Sequence, residues 1–204
     1  MVEPEDVAIS VDFLDPAHAR RWTEETPRKR PWRASFFAEF CTALPGTQLH
    51  ILELGSGPGH LARAILTRCN VSEYFAVDFS DAMHDLAREH LGDLAARVAF
   101  ITRDFRAPDW TSGLSGLDAV VTMQAVHETR HKRRALPLLA QARSILRPGG
   151  QLLYCDHYFE DGKQPGLMLD RAEQPEVLRA AGYAHVELLR DEGGMAIYAA
   201  RCGH

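Results

Sequence analysis

The sequence predicts an α/β fold, a doubly wound and mostly parallel sheet whose last strand runs antiparallel. Three observations carry this expectation. The apolar run Ile51-Leu52-Glu53-Leu54 breaks into Gly55-Ser56-Gly57-Pro58-Gly59, followed by Leu61, Ala62, Ile65 and Leu66, which share one face of a helix. Strand-like and helix-like stretches then alternate, the pattern of parallel strands joined by right-handed helical crossovers. The chain closes on two apolar runs, His185 to Leu189 and Met195 to Ala200, joined by Asp191-Glu192-Gly193-Gly194, a link short enough for a hairpin.

Composition narrows the class. At 204 residues the chain fits one domain that needs neither disulfide nor metal to complete its core. A formal charge of -5 gives no electrostatic case for a nucleic-acid or membrane partner. Cys41, Cys69, Cys155 and Cys202 are scattered with no C-x-x-C pair, which argues for reduced thiols in a cytoplasmic protein and against zinc. The acidic N-terminus shows no apolar leader, and no apolar run reaches membrane-spanning length.

Residues 1–48 read as an N-terminal helical cap segment and 49–204 as the main domain. Asp15-Pro16 is a cap and first-turn pair for a short helix through His18-Ala19-Arg20-Arg21-Trp22. The run Pro27-Arg28-Lys29-Arg30-Pro31-Trp32-Arg33 is either a solvated basic face or a segment laid over a ligand site, with Arg28, Lys29, Arg30 or Arg33 meeting a carboxylate. A second helical stretch carries Phe36, Phe37 and Phe40.

From Leu49 the pattern is regular. Glycines at 55, 57 and 59 can take positive φ and leave room for a ligand atom that a side chain would block. The helix after them aims free N–H groups at polar or anionic ligand atoms. Tyr74 to Val77 is a strand ending in Asp78, about twenty residues on, where a nucleotide-binding unit places the carboxylate for ribose hydroxyls. Ser80 caps a helix carrying Ala82, Met83, Leu86, Ala87, His90 and Leu91, stopped by Gly92. Val98 to Ile101 and Leu117 to Met123 are further strands. A helix runs from Ala135 to Leu146, with Pro137 tolerable near its first turn, and is stopped by Arg147-Pro148-Gly149-Gly150. Gln151 to Cys155 is the fifth strand, and Pro175 to Ala181 a short helix closed by Gly182.

With these motifs the chain resembles the class I S-adenosylmethionine-dependent methyltransferases over roughly residues 49–201. The likeness rests on Glu53-Leu54-Gly55-Ser56-Gly57-Pro58-Gly59, Val77-Asp78-Phe79-Ser80, Asp104-Phe105, the Leu146 to Gly150 turn and the terminal hairpin. It implies a Rossmann-like, seven-stranded sheet and S-adenosylmethionine as cofactor, with S-adenosylhomocysteine as product. By the same resemblance Glu53, Ser56 and His60, with Gly55, Gly57 and Gly59, contact the methionine end. Asp78 holds the ribose, Asp104 the adenine amino group, Phe79, Met83 and Phe105 the adenine faces, and Gln124 and Ala125 line the methyl donor.

Methyl transfer from a sulfonium is an in-line displacement, so the protein has to align the reactants and exclude water. A base is needed only for an acceptor that starts protonated. His127, just beyond the fourth strand, is the candidate, with Glu128 or Asp156 to orient or replace it; the structural alternative is a capping or packing histidine. His157 faces the same sheet edge, but the Asp and Asp-Asn pattern of metal-assisted catechol transfer is missing, so no metal is expected. Met123-Gln124-Ala125-Val126 replaces the Asn-Pro-Pro-Tyr of amide and adenine nitrogen transfer, and no Pro-Cys nucleophile follows the strand. The expected acceptor is a small organic molecule, methylated on oxygen or nitrogen; Arg28 to Arg33 and His131 to Arg134 hint at an anionic one. The other readings are a non-catalytic methyltransferase-like binding protein and a nicotinamide oxidoreductase. Glu53, at a position normally apolar in nicotinamide-binding turns, weighs against the latter.

Overall fold

The structure, a computed structural model, describes residues 5–8, 11–44, 46–158 and 166–203. The termini of the two predicted segments, 1–48 and 49–204, therefore fall partly outside the described residues.

The sheet has seven strands in the order β3-β2-β1-β4-β5-β7-β6. They are β1 (Leu49–Leu54), β2 (Val71–Asp78), β3 (Val98–Thr102), β4 (Leu117–Met123), β5 (Leu146–His157), β6 (His185–Glu192) and β7 (Met195–Arg201). Strands β1 to β5 pair in parallel, and β7 runs antiparallel to both β5 and β6. The chain leaves β1 toward β2 and β3, then returns to β4 on its other side. This reversal opens a crevice at the carboxyl ends of β1 and β4, where open α/β sheets bind ligands.

The helices are α1 (Pro16–Lys29), α2 (Arg33–Ala43), α3 (His60–Arg68), α4 (Asp81–Leu91), α5 (Ala135–Ser144) and α6 (Glu173–Ala180). Strand side chains alternate between the faces. Leu52, Leu54, Val120, Leu152 and Tyr154 pack against α5 and α6, while Leu49, Ile51, Val121, Leu153 and Cys155 pack against α2 and α3. Glu53 shares its face with Ile51 and so points to the α2 side. Helix α1 seats Ala19 on Met83 and Leu86 of α4.

Local chemistry sets the boundaries. The Asp15 carboxylate accepts from the Ala17 and His18 N–H groups, and Ser80 Oγ accepts from Met83 N–H, as their cap positions predict. Helix α1 runs past the expected stop at Trp22 to Lys29, carrying Pro27 inside its last turn at the loss of one backbone donor, and the Arg30 N–H closes on Thr26 O at 3.0 Å. Pro137 is the third residue of α5. Helix α5 ends at Ser144, and Leu146 pairs with Leu117; the turn through Arg147-Pro148-Gly149-Gly150 is an irregularity inside β5 before Gln151 pairs with Ala119. In the last hairpin Asp191 and Glu192 are paired residues, so the turn shrinks to Gly193-Gly194, with φ of +61° and +73°. Positive φ at both centres is the two-residue hairpin geometry that matches strand twist. Cys41, Cys69, Cys155 and Cys202 are free thiols. No helix among the described residues is long and apolar enough to cross a membrane.

Gly55 carries the tightest backbone constraint. Its φ is +70°, and a Cβ there would lie 2.2 Å from the Ala125 Cβ. Gly55→Ala is expected to destabilise the fold by about 3 kcal/mol, from left-handed strain plus overpacking. Gly149→Ala, at φ +73° with nothing within 4 Å, should cost only about 1 kcal/mol. Urea unfolding midpoints of the two variants check this; equal losses would contradict it.

Candidate active site

The turn after β1 is tied to the end of β2. Gly55 and Ser56 N–H groups donate to Val77 O at 2.8 and 3.1 Å. Gly57 N–H donates to Asp78 Oδ2 at 2.8 Å, and Ser80 N–H to Asp78 Oδ1 at 3.0 Å. Above this turn lies a cavity of about 210 Å³. It is walled by Glu53, Gly55, Ser56, Gly57, His60, Asp78, Phe79, Met83, Phe105, Gln124, Ala125 and His127, all expected from the sequence.

Two expected residues lie outside the wall. Gly59 caps α3 at φ +78° and packs on Ala87, so it shapes the turn from behind. Asp104 is engaged by Arg106, which reaches its carboxylate through Nε at 3.1 Å and Nη2 at 2.8 Å. Of the basic run, Arg30 and Arg33 line the cavity, whereas Lys29 pairs with Glu25 and Arg28 is exposed. The other run also lies off the wall, with Lys132 on Glu173 and Arg134 on Asp6. Pro58, Leu61, Met123 and Glu128 also line it, as do Val11, Phe13, Trp22, Leu167 and Met168. None of the last five was expected as a site residue; Val11, Phe13, Leu167 and Met168 lie outside the helices and strands, and Trp22 sits on α1.

Four buried polar atoms on this wall have no hydrogen-bond partner among the described residues: Arg33 Nε, Ser56 Oγ, His60 Nε2 and Gln124 Oε1. Unpaired buried polar groups are costly, and such a cluster fits a polar ligand. The acids here are driven toward their neutral forms. Burial pushes Glu53 up to about 8, against the Tyr74 hydroxyl that donates to it at 2.7 Å. Burial also raises Asp78 to about 6, against the N–H groups of Gly57, Ser80 and Phe79. Arg33 is 9% exposed, and its guanidinium carbon lies 5.8 and 5.6 Å from the Trp22 and Phe37 ring centres.

Beyond β4, the Val126–Thr129 turn presents His127 to Asp156 of β5. His127 Nδ1 donates to Asp156 Oδ1 at 2.6 Å, and its backbone N–H to Asp156 Oδ2 at 3.1 Å. Its Nε2 lies 3.3 Å from Glu128 Oε1. With a carboxylate at each ring nitrogen, both nitrogens carry protons. Burial works against the charge, yet Asp156 and Glu128 outweigh it and hold the ring at about 10. His157 is the opposite case: burial lowers it to about 4, and its Nε2 accepts from the Gln124 amide. Gln174 of α6 braces this edge by donating to His157 O at 3.0 Å.

The doubly wound sheet, with an acidic residue before a glycine turn and a carboxylate closing the second strand, defines a Rossmann-like α/β protein. Residues 51–150 match the model of a family described as a methyltransferase domain. A highly reducing polyketide synthase, easB, of Emericella nidulans is 28% identical over 167 residues, covering 69% of this chain and only 6% of that protein. Among solved structures, the citrinin polyketide synthase CMeT domain superposes with a TM-score of 0.71 at 22% identity, over 93% of this chain and 57% of that one. The DhpI–SAH complex does so with a TM-score of 0.69 at 23% identity, over 92% and 95%. Residues 51–150 thus carry a methyltransferase domain, in a Rossmann-like fold shared with these structures.

In a titration followed by nitrogen NMR, the His127 ring is expected to stay doubly protonated through neutral pH and to lose its proton near 10. Asp156→Asn should lower that midpoint by at least about one unit, because an opposite charge in contact is removed. A wild-type midpoint at the free-histidine value of about 6.5 would contradict the assignment.

Proposed function

We propose that this chain transfers the methyl group of S-adenosylmethionine to a small organic acceptor, on oxygen or nitrogen, by in-line displacement. The observation that carries the reading is the set of unpartnered Arg33, Ser56, His60 and Gln124 atoms converging with Asp78 on one cavity at the sheet's reversal point. These donors and acceptors fit a ligand with an amino-acid end and a nucleoside end.

In this reading Asp78 accepts from the ribose hydroxyls with the lone pairs that Gly57 and Ser80 leave free. Phe79, Met83 and Phe105 hold the adenine. Glu53 takes the ammonium, Ser56 and His60 bind along the methionine end, and Arg33 meets its carboxylate. Asp104, engaged by Arg106 outside the cavity, has no part here. The bound cofactor supplies an electrophilic methyl on a sulfonium. Gln124 and Ala125 set the edge against which the acceptor aligns, and His127 and Arg30 bound the side from which it enters. The likeness to a polyketide synthase and to a complex with SAH supports this reading.

Calorimetric titration with S-adenosylhomocysteine tests it. We expect saturable binding, weakened about 30-fold or more by Asp78→Ala, the effect of removing an ionised hydrogen-bond acceptor. Affinity should fall as pH drops through about 6, where Asp78 takes up a proton and can no longer accept from both hydroxyls. At neutral pH Glu53 is protonated in the free protein, so an arriving ammonium should release a proton. Binding heats in buffers of different ionisation enthalpy read that release, and Glu53→Gln should abolish it. The absence of any binding would refute the proposal.

A further inference from the structure

The end of the cavity beyond Gln124 gathers cations. Arg30, at the close of α1, lines the cavity half-buried, and its guanidinium makes no hydrogen bond or ion pair with the described residues. Burial opposes its charge and Asp156 supports it. Arg33 opens α2 three residues further on, and His127 is held as an imidazolium between Asp156 and Glu128. The groups here that take protons are largely engaged, with Glu128, on the cavity wall, keeping one carboxylate oxygen without a partner among the described residues. Asp156 accepts from His127 Nδ1, the His127 N–H and the His157 N–H; Glu128 faces His127 Nε2; and His157 Nε2 accepts from Gln124. Phe13, Trp22, Met123, Leu167 and Met168 give the same cavity apolar walls.

We infer that the acceptor is a small organic acid with an apolar body, which arrives already ionised and is methylated on an acid oxygen, with Arg30 holding the oxyanion. This rests on the proposed function and names its substrate class. Arg30 binds one oxygen, and the other attacks the methyl in line. A carbon–oxygen bond forms, the carbon–sulfur bond breaks, and its electron pair returns to sulfur. One negative charge of the acceptor cancels the sulfonium's positive charge, giving a thioether and an ester that is neutral for a carboxylate and one charge less negative than the acceptor for a phosphonate. No proton moves, so the transfer needs no base, and the cations hold the oxyanion.

The test incubates the protein with S-adenosylmethionine labelled in the methyl group and with octanoate, benzoate, phenylacetate or phenylphosphonate. The carboxylates are run beside their neutral amides, with an alcohol, an amine and a β-ketothioester as further acceptors. Binding of S-adenosylhomocysteine is measured separately. We expect label on the acids and little on the amides. A carboxylate ester releases labelled methanol in alkali, whereas a phosphonate monoester keeps its label, so the two acid sources are told apart. Arg30→Gln should raise KM for the acid about 10-fold or more, as the loss of a charge-assisted contact requires. S-adenosylhomocysteine affinity should not change, and Arg30→Lys should recover part of the loss. The inference is overturned if S-adenosylhomocysteine binds while no acid is bound or methylated. It is overturned equally if label goes to the alcohol, amine or thioester carbon in preference, or if Arg30→Gln leaves the acid KM unchanged. Failure of S-adenosylhomocysteine to bind at all refutes the proposed function itself, and this inference with it.

Discussion

The close approach of the ends of β1 and β4 is the constraint on which the rest depends. Gly55 passes so near Ala125 that a side chain has no space, and the backbone must turn there with positive φ. That turn aims the Gly55 and Ser56 N–H groups at Val77 and the Gly57 N–H at Asp78, locking the carboxyl ends of β1 and β2 together. Asp78 passes the restraint on through Ser80, whose hydroxyl both caps α4 and donates to Phe13 O. A single hydrogen-bonded chain thus runs from the glycine turn to the segment that roofs the cavity. The crevice is open because the glycine turn clears it, and it is walled because Asp78 anchors the N-terminal stretch over it.

Charge is divided along the cavity. At the turn, two buried carboxyls are driven toward neutrality, Glu53 to about 8 and Asp78 to about 6. At the far end, the imidazolium of His127 and the guanidinium of Arg30 face the same space. A buried acid costs little while protonated and becomes a strong partner once a cation or a hydroxyl pair replaces the lost solvent. A buried imidazolium is stable only because Asp156 and Glu128 hold it. The two ends therefore suit a cationic ligand and an anionic one, which are the charges that cancel when a sulfonium methyl passes to an oxyanion.

Much of this was legible in the sequence because it is local. The glycine turn, the Asp15 and Ser80 caps, the Asp78 strand end and the Gly193-Gly194 hairpin each follow from a few adjacent residues, and all fall where their chemistry puts them. What was hidden lies in contacts that motif spacing does not show. The protonation of His127 depends on Asp156, 29 positions away. The motif position of Asp104 gives no sign that Arg106, two residues on, engages its carboxylate. The sequence left open whether the basic run covers the site; Arg30 and Arg33 reach the cavity because α1 continues past Trp22 to Lys29. Leu167 and Met168 sit outside any periodic pattern, so only the folded chain shows them on the wall.

The most direct test of the central claim is a crystal structure of this protein grown with S-adenosylhomocysteine. The account requires the ribose hydroxyls on Asp78, the amino-acid end among Glu53, Ser56 and Arg33, and the sulfur turned toward the space between Gln124 and His127. Ligand bound elsewhere, or bound here with its sulfur turned away from His127, would contradict it.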